Sequence, residues 1–418
     1  MAVQEVQVLG TELERVLPKV PTLFDRDDKF YAQLEKRPVE IISSRDMRVP
    51  LEIRPGGNFG HYSPDGGDLG RGDGPVFDKA VINTVHLKHA VEWTTQAQWS
   101  TDDKRKSVIN LFRHLLAQAM PEFRRNVDSL CMTDGTGVLG TITSVATAGG
   151  VDTYTCTTDG FGVRLIRFGM RLNVYNAALG VNRTAGGETR VTFHDLANKT
   201  INVTPAVAGA VATDLLVCSG LAGTPPASIF GVRYHDNNSA VGNWMGFDRA
   251  TTPEIRANRV NALGGALTLP LPRLCLNLVG DRVGEKAMRR TQAWMHPAQK
   301  QAYEEIGFQT SIINKAAKEE GLNLYFGDNM QMAGSPVKTS YSWDRTRIDF
   351  IDLDNWGRAE YHKPGFYEVD KRRIWEVRGP SGGVATSNIF YIVASFNVFA
   401  MNPAGLAYID NLAVPAGY

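Results

Sequence analysis

"GGNFGHYSPDGGDLGRGDG", Gly56 to Gly74, holds eight glycines in nineteen residues. Backbone freedom on that scale has three uses: cradling a phosphate, presenting an Arg-Gly-Asp adhesion signal at Arg71–Asp73, or letting a loop change shape. A phosphate loop needs a Lys-Ser/Thr pair with a helix opening directly after it, and neither follows here. Arg-Gly-Asp is common by chance, and an Asp-Gly turn accounts for it. A shape-changing loop is the use that remains.

The flanks set the context. "EIISSRDMRVPLEIR", Glu40 to Arg54, reads as one extended strand. "VFDKAVINTVHLKHAVEWTTQAQW", Val76 to Trp99, is rich in Val, Ile, Thr and Trp and reads as a second long extended segment. Together they predict a long hairpin with an outsized tip. An isolated two-stranded hairpin is marginal in water, so this one needs another surface to lie on, such as a neighbouring subunit.

After the hairpin, apolar residues fall at offsets 3, 4, 7, 8, 11, 12, 15, 19, 22 and 23 from Val108, ending at Cys131. That is one face at 3.6 residues per turn. Ser100 with Asp103 resembles a capping box, and Gly135 is placed to close the end. The expectation is a rod of about 30 residues and about 45 Å, kinked or split at Pro121. Leu115 lies on its apolar stripe. Residues 136–225 then turn to short Val/Thr-rich strands between Gly, Asn and Asp, which predicts a small all-β sandwich or barrel inserted in a mixed protein.

From Ser228 the pattern is mixed. "EIRANRVNA" and "PRLCLNLVGDRVGEKAMRR" read as helices, and "AWMHPAQKQAYEEIG" as a strand followed by a helix opening at Pro297. Late strands are expected at "RIDFIDL", "RRIWEVRG", "NIFYIVASFNVFAM" and "GLAYIDNLAV". Residues 1–37, broken by Pro18 and Pro21, read as an arm.

Composition bounds the function. The 418 residues allow roughly two to four domains. Hydrophobic content of 43% with 21% charged residues is that of a globular protein, and a net charge of +1 argues against a clamp that holds nucleic acid by long-range attraction. Cys131, Cys156, Cys218 and Cys275 stand 25, 62 and 57 residues apart, which suits small buried hydrophobes better than zinc or disulfides. With no signal-type or membrane-length apolar run, the expected compartment is a cytoplasm, where a sequon such as Asn202-Val-Thr204 carries no meaning.

No constellation for catalysis emerges. GxSxG, HExxH and CxxC are absent. His86 and His89, three apart on a strand, point to opposite faces. Asp352 to Gly357 resembles a calcium loop but fails at Trp356 and at Lys363, where a bidentate Glu is required. His296 before Pro297 reads as a helix cap. No catalytic, cofactor-binding or metal-ligating residue is therefore expected, and the expectation is that the protein is not an enzyme.

The order of these elements resembles the major capsid proteins of tailed bacteriophages, the Hong-Kong-ninety-seven-type α+β fold. "QAWMHPAQKQAYEEI" is similar to that family's axial-domain strand, turn and helix, and "NIFYIVASFNVFAMNPAGLAYIDNL" to its closing strand and terminal segment. The resemblance implies an N-terminal arm at 1–37, an extended loop at 38–98, a peripheral domain with spine helix at 99–135 and an inserted β-barrel or sandwich at 136–225. It further implies an axial domain at 226–335, peripheral strands at 336–402 with the loop Gly379 to Ser387, and a return to the axial domain at 403–418. Pro121 and the β insertion depart from the minimal pattern. The implied role is a coat protein that self-assembles in hexamers and pentamers into an icosahedral head. The implied partners are a separate scaffolding protein, a portal and a candidate decoration protein. Such a head encloses double-stranded DNA without sequence-specific binding, touches no membrane, and is built in the host cytoplasm into the virion. Two alternatives stand beside it: an encapsulin-like shell around protein cargo, and an enzyme or sugar-binding module using the β insertion.

Overall fold

A computed structural model describes residues 28–61, 70–102, 111–157, 160–184, 187–221, 223–315, 330–378 and 384–415. The first 27 residues of the expected arm, the centre of the glycine-rich stretch, Asp103 with Val108, and the first half of the Gly379–Ser387 loop lie outside them. The chain divides into two compact units. One comprises Met1–Gln33, Val85–Ser129 and Glu360–Phe396; the other comprises Leu34–Thr84, Leu130–Ala359 and Asn397–Tyr418.

In chain order the strands begin with β1 (Glu40–Ile41), β2 (Asp46–Arg54), β3 (Val76–Asn83) and β4 (Val85–Thr94). Glu40 to Arg54 is therefore not one strand. Ser43 accepts the amides of Arg45 and Asp46 on its hydroxyl, and the turn it makes folds β1 back on β2. The segment after the glycines is not one strand either. β3 pairs with β2 in antiparallel register, Asp46 opposite Asn83 through Arg54 opposite Val76. At Thr84, whose amide bonds to the Arg45 carbonyl, the ladder changes partner.

Among the described residues, helix follows over α1 (Thr95–Asp102) and α2 (Leu111–Cys131). α1 starts five residues ahead of the expected cap, because the Thr94 hydroxyl already accepts the Ala97 amide. Pro121 does not split α2. The carbonyl it leaves without an i+4 amide is that of Ala117, an exposed residue open to solvent. The helix is closed by Thr133, whose amide and hydroxyl both bond to the Leu130 carbonyl, and not by Gly135.

In the first unit, β4 lies antiparallel to a long strand near the C-terminus, with Thr94 opposite Ser387 and Val85 opposite Phe396. Trp93 packs on Phe390, and Tyr31 on Phe396. The buried stripe of α2 runs through Ala119, Phe123 and Val127, while Leu115 is half-buried and Leu116 is 37% exposed. Phe123→Asp will therefore abolish soluble protein, whereas Leu116→Asp will leave the subunit soluble; expression and sedimentation of the two variants check this.

Asp128 ties down the start of the described chain. Its Oδ1 accepts the amides of Phe30 (3.1 Å) and Tyr31 (2.9 Å). Burial pushes this carboxyl up to about 6, against the lowering effect of the Tyr31 amide, Arg125 and the Phe30 amide. A folded-state value above the unfolded one means the group favours folding below about pH 4 and loses that contribution as pH rises through 6. Wild type should lose up to about 3 kcal/mol across that window relative to Asp128→Asn, which keeps the acceptor oxygen. Urea unfolding at pH 4 and pH 7 measures the difference.

The second unit carries the all-β segment as a closed barrel: β5 (Val138–Ala148), β6 (Val151–Cys156), β7 (Arg171–Tyr175), β8 (Thr189–Asp195), β9 (Thr200–Thr204) and β10 (Leu215–Cys218). The order β10-β5-β6-β9-β8-β7 closes because β10 also pairs with β7. Tyr154, Leu172, Val174, Val191, Ile201, Val203 and Leu216 fill it. Asp152 is buried there, accepting from the Tyr154 hydroxyl (2.9 Å), the Val207 amide (2.7 Å) and the Thr147 hydroxyl (2.5 Å).

A small hairpin follows, β11 (Asn243–Trp244) and β12 (Phe247–Asp248). A mixed six-stranded sheet comes next, ordered β13-β21-β17-β14-β16-β15. Its strands are β13 (Asn258–Asn261), β14 (Gln292–Met295), β15 (Gln331–Met332), β16 (Ser335–Thr339), β17 (Ile348–Ile351) and β21 (Ala407–Asp410). Helices α3 (Pro270–Val283) and α4 (Pro297–Lys315) accompany it, and Cys275, Leu276 and Val279 of α3 share a core with Ala293, Ile348, Phe350 and Ile409. β13 corrects the helix expected in "EIRANRVNA". Val260 pairs parallel with Ile409, and Asn258 Nδ2 bonds to the carbonyls of Ala404 and Leu406. The remaining strands are β18 (Trp356–Phe366), β19 (Ile374–Arg378) and β20 (Val384–Ala400), the partner of β4.

Candidate assembly surface

The β2–β3 ribbon changes character along its length. At its base Met47, Val49, Ala80 and Ile82 are buried; towards its end Leu51 and Ile53 are half-buried, and Val76, Phe77 and Phe59 are exposed. The base packs in one cluster with Trp244, Met245, Phe247, Ile255, Ala359 and Phe399.

The β11–β12 hairpin builds that socket. Met245 and Gly246 both have positive φ, 44° and 95°, as a two-residue turn of this hand requires. Met in this conformation costs about 1 kcal/mol. Three contacts offset it: the side chain is buried, the amide donates to the Tyr234 hydroxyl (2.8 Å), and the carbonyl accepts the Val81 amide of β3 (2.8 Å). Tyr234 stacks on Phe230 at 4.1 Å.

Behind the hairpin, Trp244 Nε1 donates to His235 Nδ1 (3.0 Å), which leaves the ring proton on Nε2, facing the Val398 carbonyl at 3.3 Å. Burial lowers this imidazole to about 3, so it stays neutral at working pH. Asn397 holds the end of β3, donating to the Asn83 carbonyl (2.6 Å) while its Oδ1 accepts the Phe230 amide (2.8 Å). Gly231 sits where helix α2 ends; a Cβ there would overlap the carbonyl oxygens of Cys131 and Thr133. Next to His235, Asp236 pairs with Arg347, which also bonds Asp349 (2.5 Å) and lies 3.8 Å over the Tyr408 ring. The socket is thereby tied to the mixed sheet.

Beyond the socket the ribbon is held lightly. Arg54 pairs with Glu254 at 2.9 Å, but both side chains are about half exposed, so the pair contributes at most about 1 kcal/mol. Arg48, Pro50, Phe77, Lys79 and Val81 line an open groove of about 470 Å³ on the face away from the core. Past the strands the Gly57 amide still reaches the Asp73 carbonyl (2.7 Å). The arrangement is a stiff arm with a locked base and an apolar outer part left open.

No protein-family model matches the chain, and no curated relative matches it. Among solved structures, the capsid asymmetric unit of Cyanophage A-1(L) superposes with a TM-score of 0.59 at 12% identity, covering 97% of this chain and 99% of that one. The fold is the tailed-phage major capsid fold. The capsid of a native GTA particle gives 0.48 at 11% identity, covering 96% and 95%. The SrpI encapsulin of Synechococcus elongatus gives 0.44 at 9%, covering 100% and 99%.

The residues weighed for chemistry are spread over both units, each with local partners. His86 Nδ1 faces the Ser395 hydroxyl at 2.8 Å, and His89 lies 3.7 Å from Glu122. Asp352 accepts the Asp354 amide at the start of a helical turn. His296 caps α4 by accepting the Ala298 amide at Nδ1 (3.0 Å), and burial with Arg164 and Arg345 lowers it to about 3. Cys131, Cys156 and Cys275 are buried, Cys218 partly; burial pushes the Cys156 thiol up to about 12. Among the described residues no group of three His, Cys, Asp or Glu is placed to hold a metal, and no helix is long and apolar enough to cross a membrane. The sequence reading missed the socket. Its one local signal is Met245-Gly246 between two aromatic residues, a weak mark of a tight hairpin turn.

Proposed function

We propose that this chain is the major coat protein of a tailed-phage head. The observation that carries the reading is the capsid fold matched over nearly the whole of both chains. In this reading the β2–β3 ribbon is the extended loop, and it supports the proposal from within: Phe59 is fully exposed and Phe77 is 66% exposed, surface that a neighbouring copy would cover. The subunit does no chemistry of its own and works by repetition. Copies meet in hexamers and pentamers through modest interfaces, and the number of contacts makes the closed shell stable. Net charge near zero limits repulsion among copies. The contents are double-stranded DNA, enclosed by volume rather than read by sequence. A separate scaffolding protein and a portal guide assembly in the host cytoplasm, and a decoration protein is a candidate outer partner.

Negative-stain microscopy and sedimentation of the protein, expressed alone and with the products of its neighbouring genes, test this. Closed shells of uniform size are expected, with nuclease-protected DNA in particles from the native source. A protein cargo in place of DNA would convert the reading to an encapsulin-like shell. A persistent 45.9 kDa monomer under every condition would overturn it.

A further inference from the structure

We propose that Leu263 is an assembly anchor, a leucine held out from the subunit to enter an apolar recess on a second copy of the chain. The inference rests on the coat-protein reading. Leu263 is 84% exposed and has a φ of 55°. Among the described residues it is the one exposed large apolar side chain with positive φ. A lone exposed leucine is ordinary, and a positive φ is ordinary for glycine. The combination gains the isolated subunit nothing: the side chain buries little, and the backbone conformation is one that leucine resists.

The turn is held firmly from both sides. The Leu263 amide donates to Asn261 Oδ1 (2.9 Å), Ala262 to the Asp410 carbonyl (2.9 Å) and Gly264 to the Asn411 carbonyl (2.8 Å). Gly265 closes back on Ala262, and Ala413 donates to Gly265. Val260 and Leu412, flanking this clamp, are in the core. An anchor fixed in advance loses little freedom on docking, so most of its burial goes into association. The chemistry around it selects the partner. The neighbouring charges Arg259 and Asp410 neutralise each other at 2.8 Å, so this pair offers no net positive charge to a phosphate backbone and suits an apolar protein recess. The fold is shared along its whole length with a capsid asymmetric unit, which points to a copy of this chain as that protein.

Leu263→Gly separates the two roles of the position. It fits the backbone better and removes the side chain. Its melting temperature should match wild type or rise by about 1–2 °C. Its concentration threshold for shell formation should rise at least about tenfold. Assembly at the wild-type threshold would overturn the proposal, as would a clear fall in melting temperature, which would mean that the leucine holds its own subunit. If wild type forms no shell in any condition, the coat-protein reading falls and the anchor with it. If wild type assembles and the variant matches it, the anchor alone falls.

Discussion

Replacing Pro55–Pro75 with an Asn-Gly turn will give a folded subunit that forms no shell. Arg54 and Val76 are partners across the ribbon, so two residues can join them without disturbing the ladder. Asn-Gly supplies the turn whose twist matches that of the strands. Met47, Val49, Ala80 and Ile82 stay in the socket, and the Val81–Met245 bond is untouched. Stability should change by no more than about 0.5 kcal/mol. What disappears is the outer reach of the arm, including Phe59. Thermal melting and negative-stain microscopy give the two readings. Shells of normal size and yield would show that the glycine-rich stretch has no part in assembly.

Trp244→Ala will have the opposite effect, damaging the subunit first. Trp244 is fully buried, packs on Phe247 and donates to His235. Emptying its site costs about 3–5 kcal/mol. Met245, already held against its backbone preference, loses the packing that keeps it there, so the grip on Val81 loosens. Urea unfolding should show the loss, and limited proteolysis should reveal new cleavage within Asp46–Asn83. Trp244→Phe restores volume but leaves His235 Nδ1 buried without its donor, at about 1–3 kcal/mol. A Trp244→Ala subunit as stable and protease-resistant as wild type would show that the socket does not hold the ribbon.

The β2–β3 ribbon was legible because its signals are local: apolar strands, a glycine-rich tip, then a helix with one apolar face. So was the strand-cap-helix run through His296 and Pro297, where one proline and one side chain fix the boundary. What escaped depends on partners distant in sequence. Nothing in "INTVHL" stops a strand at Thr84; the break exists because pairing with β2 stops at Asn83 and pairing with β20 starts at Val85. Asn258–Asn261 becomes a strand only beside Ala407–Asp410. The turn at Ser43 was hidden inside a strand-like run, since serine is tolerated in both. Barrel closure was invisible for the same reason: six short strands can be counted, but the pairing of β10 with both β5 and β7 is a property of the assembled set.

That closure matters most when subunits are crowded. The barrel leaves and rejoins its host at one doorway, with Cys218 bonded to Gly137 and Ser228 to Gly135. It is braced there by Arg233 over the Phe161 ring at 4.2 Å and by the Arg345 amide on the Gly160 carbonyl. Packed on a common surface, such modules face one another at effective concentrations on the order of millimolar. At that density an open sheet would exchange strands with the next copy and fuse neighbours irreversibly. A cylinder without edges has nothing to trade, so in the proposed shell the barrel could be carried in every copy while each remained a separate tile.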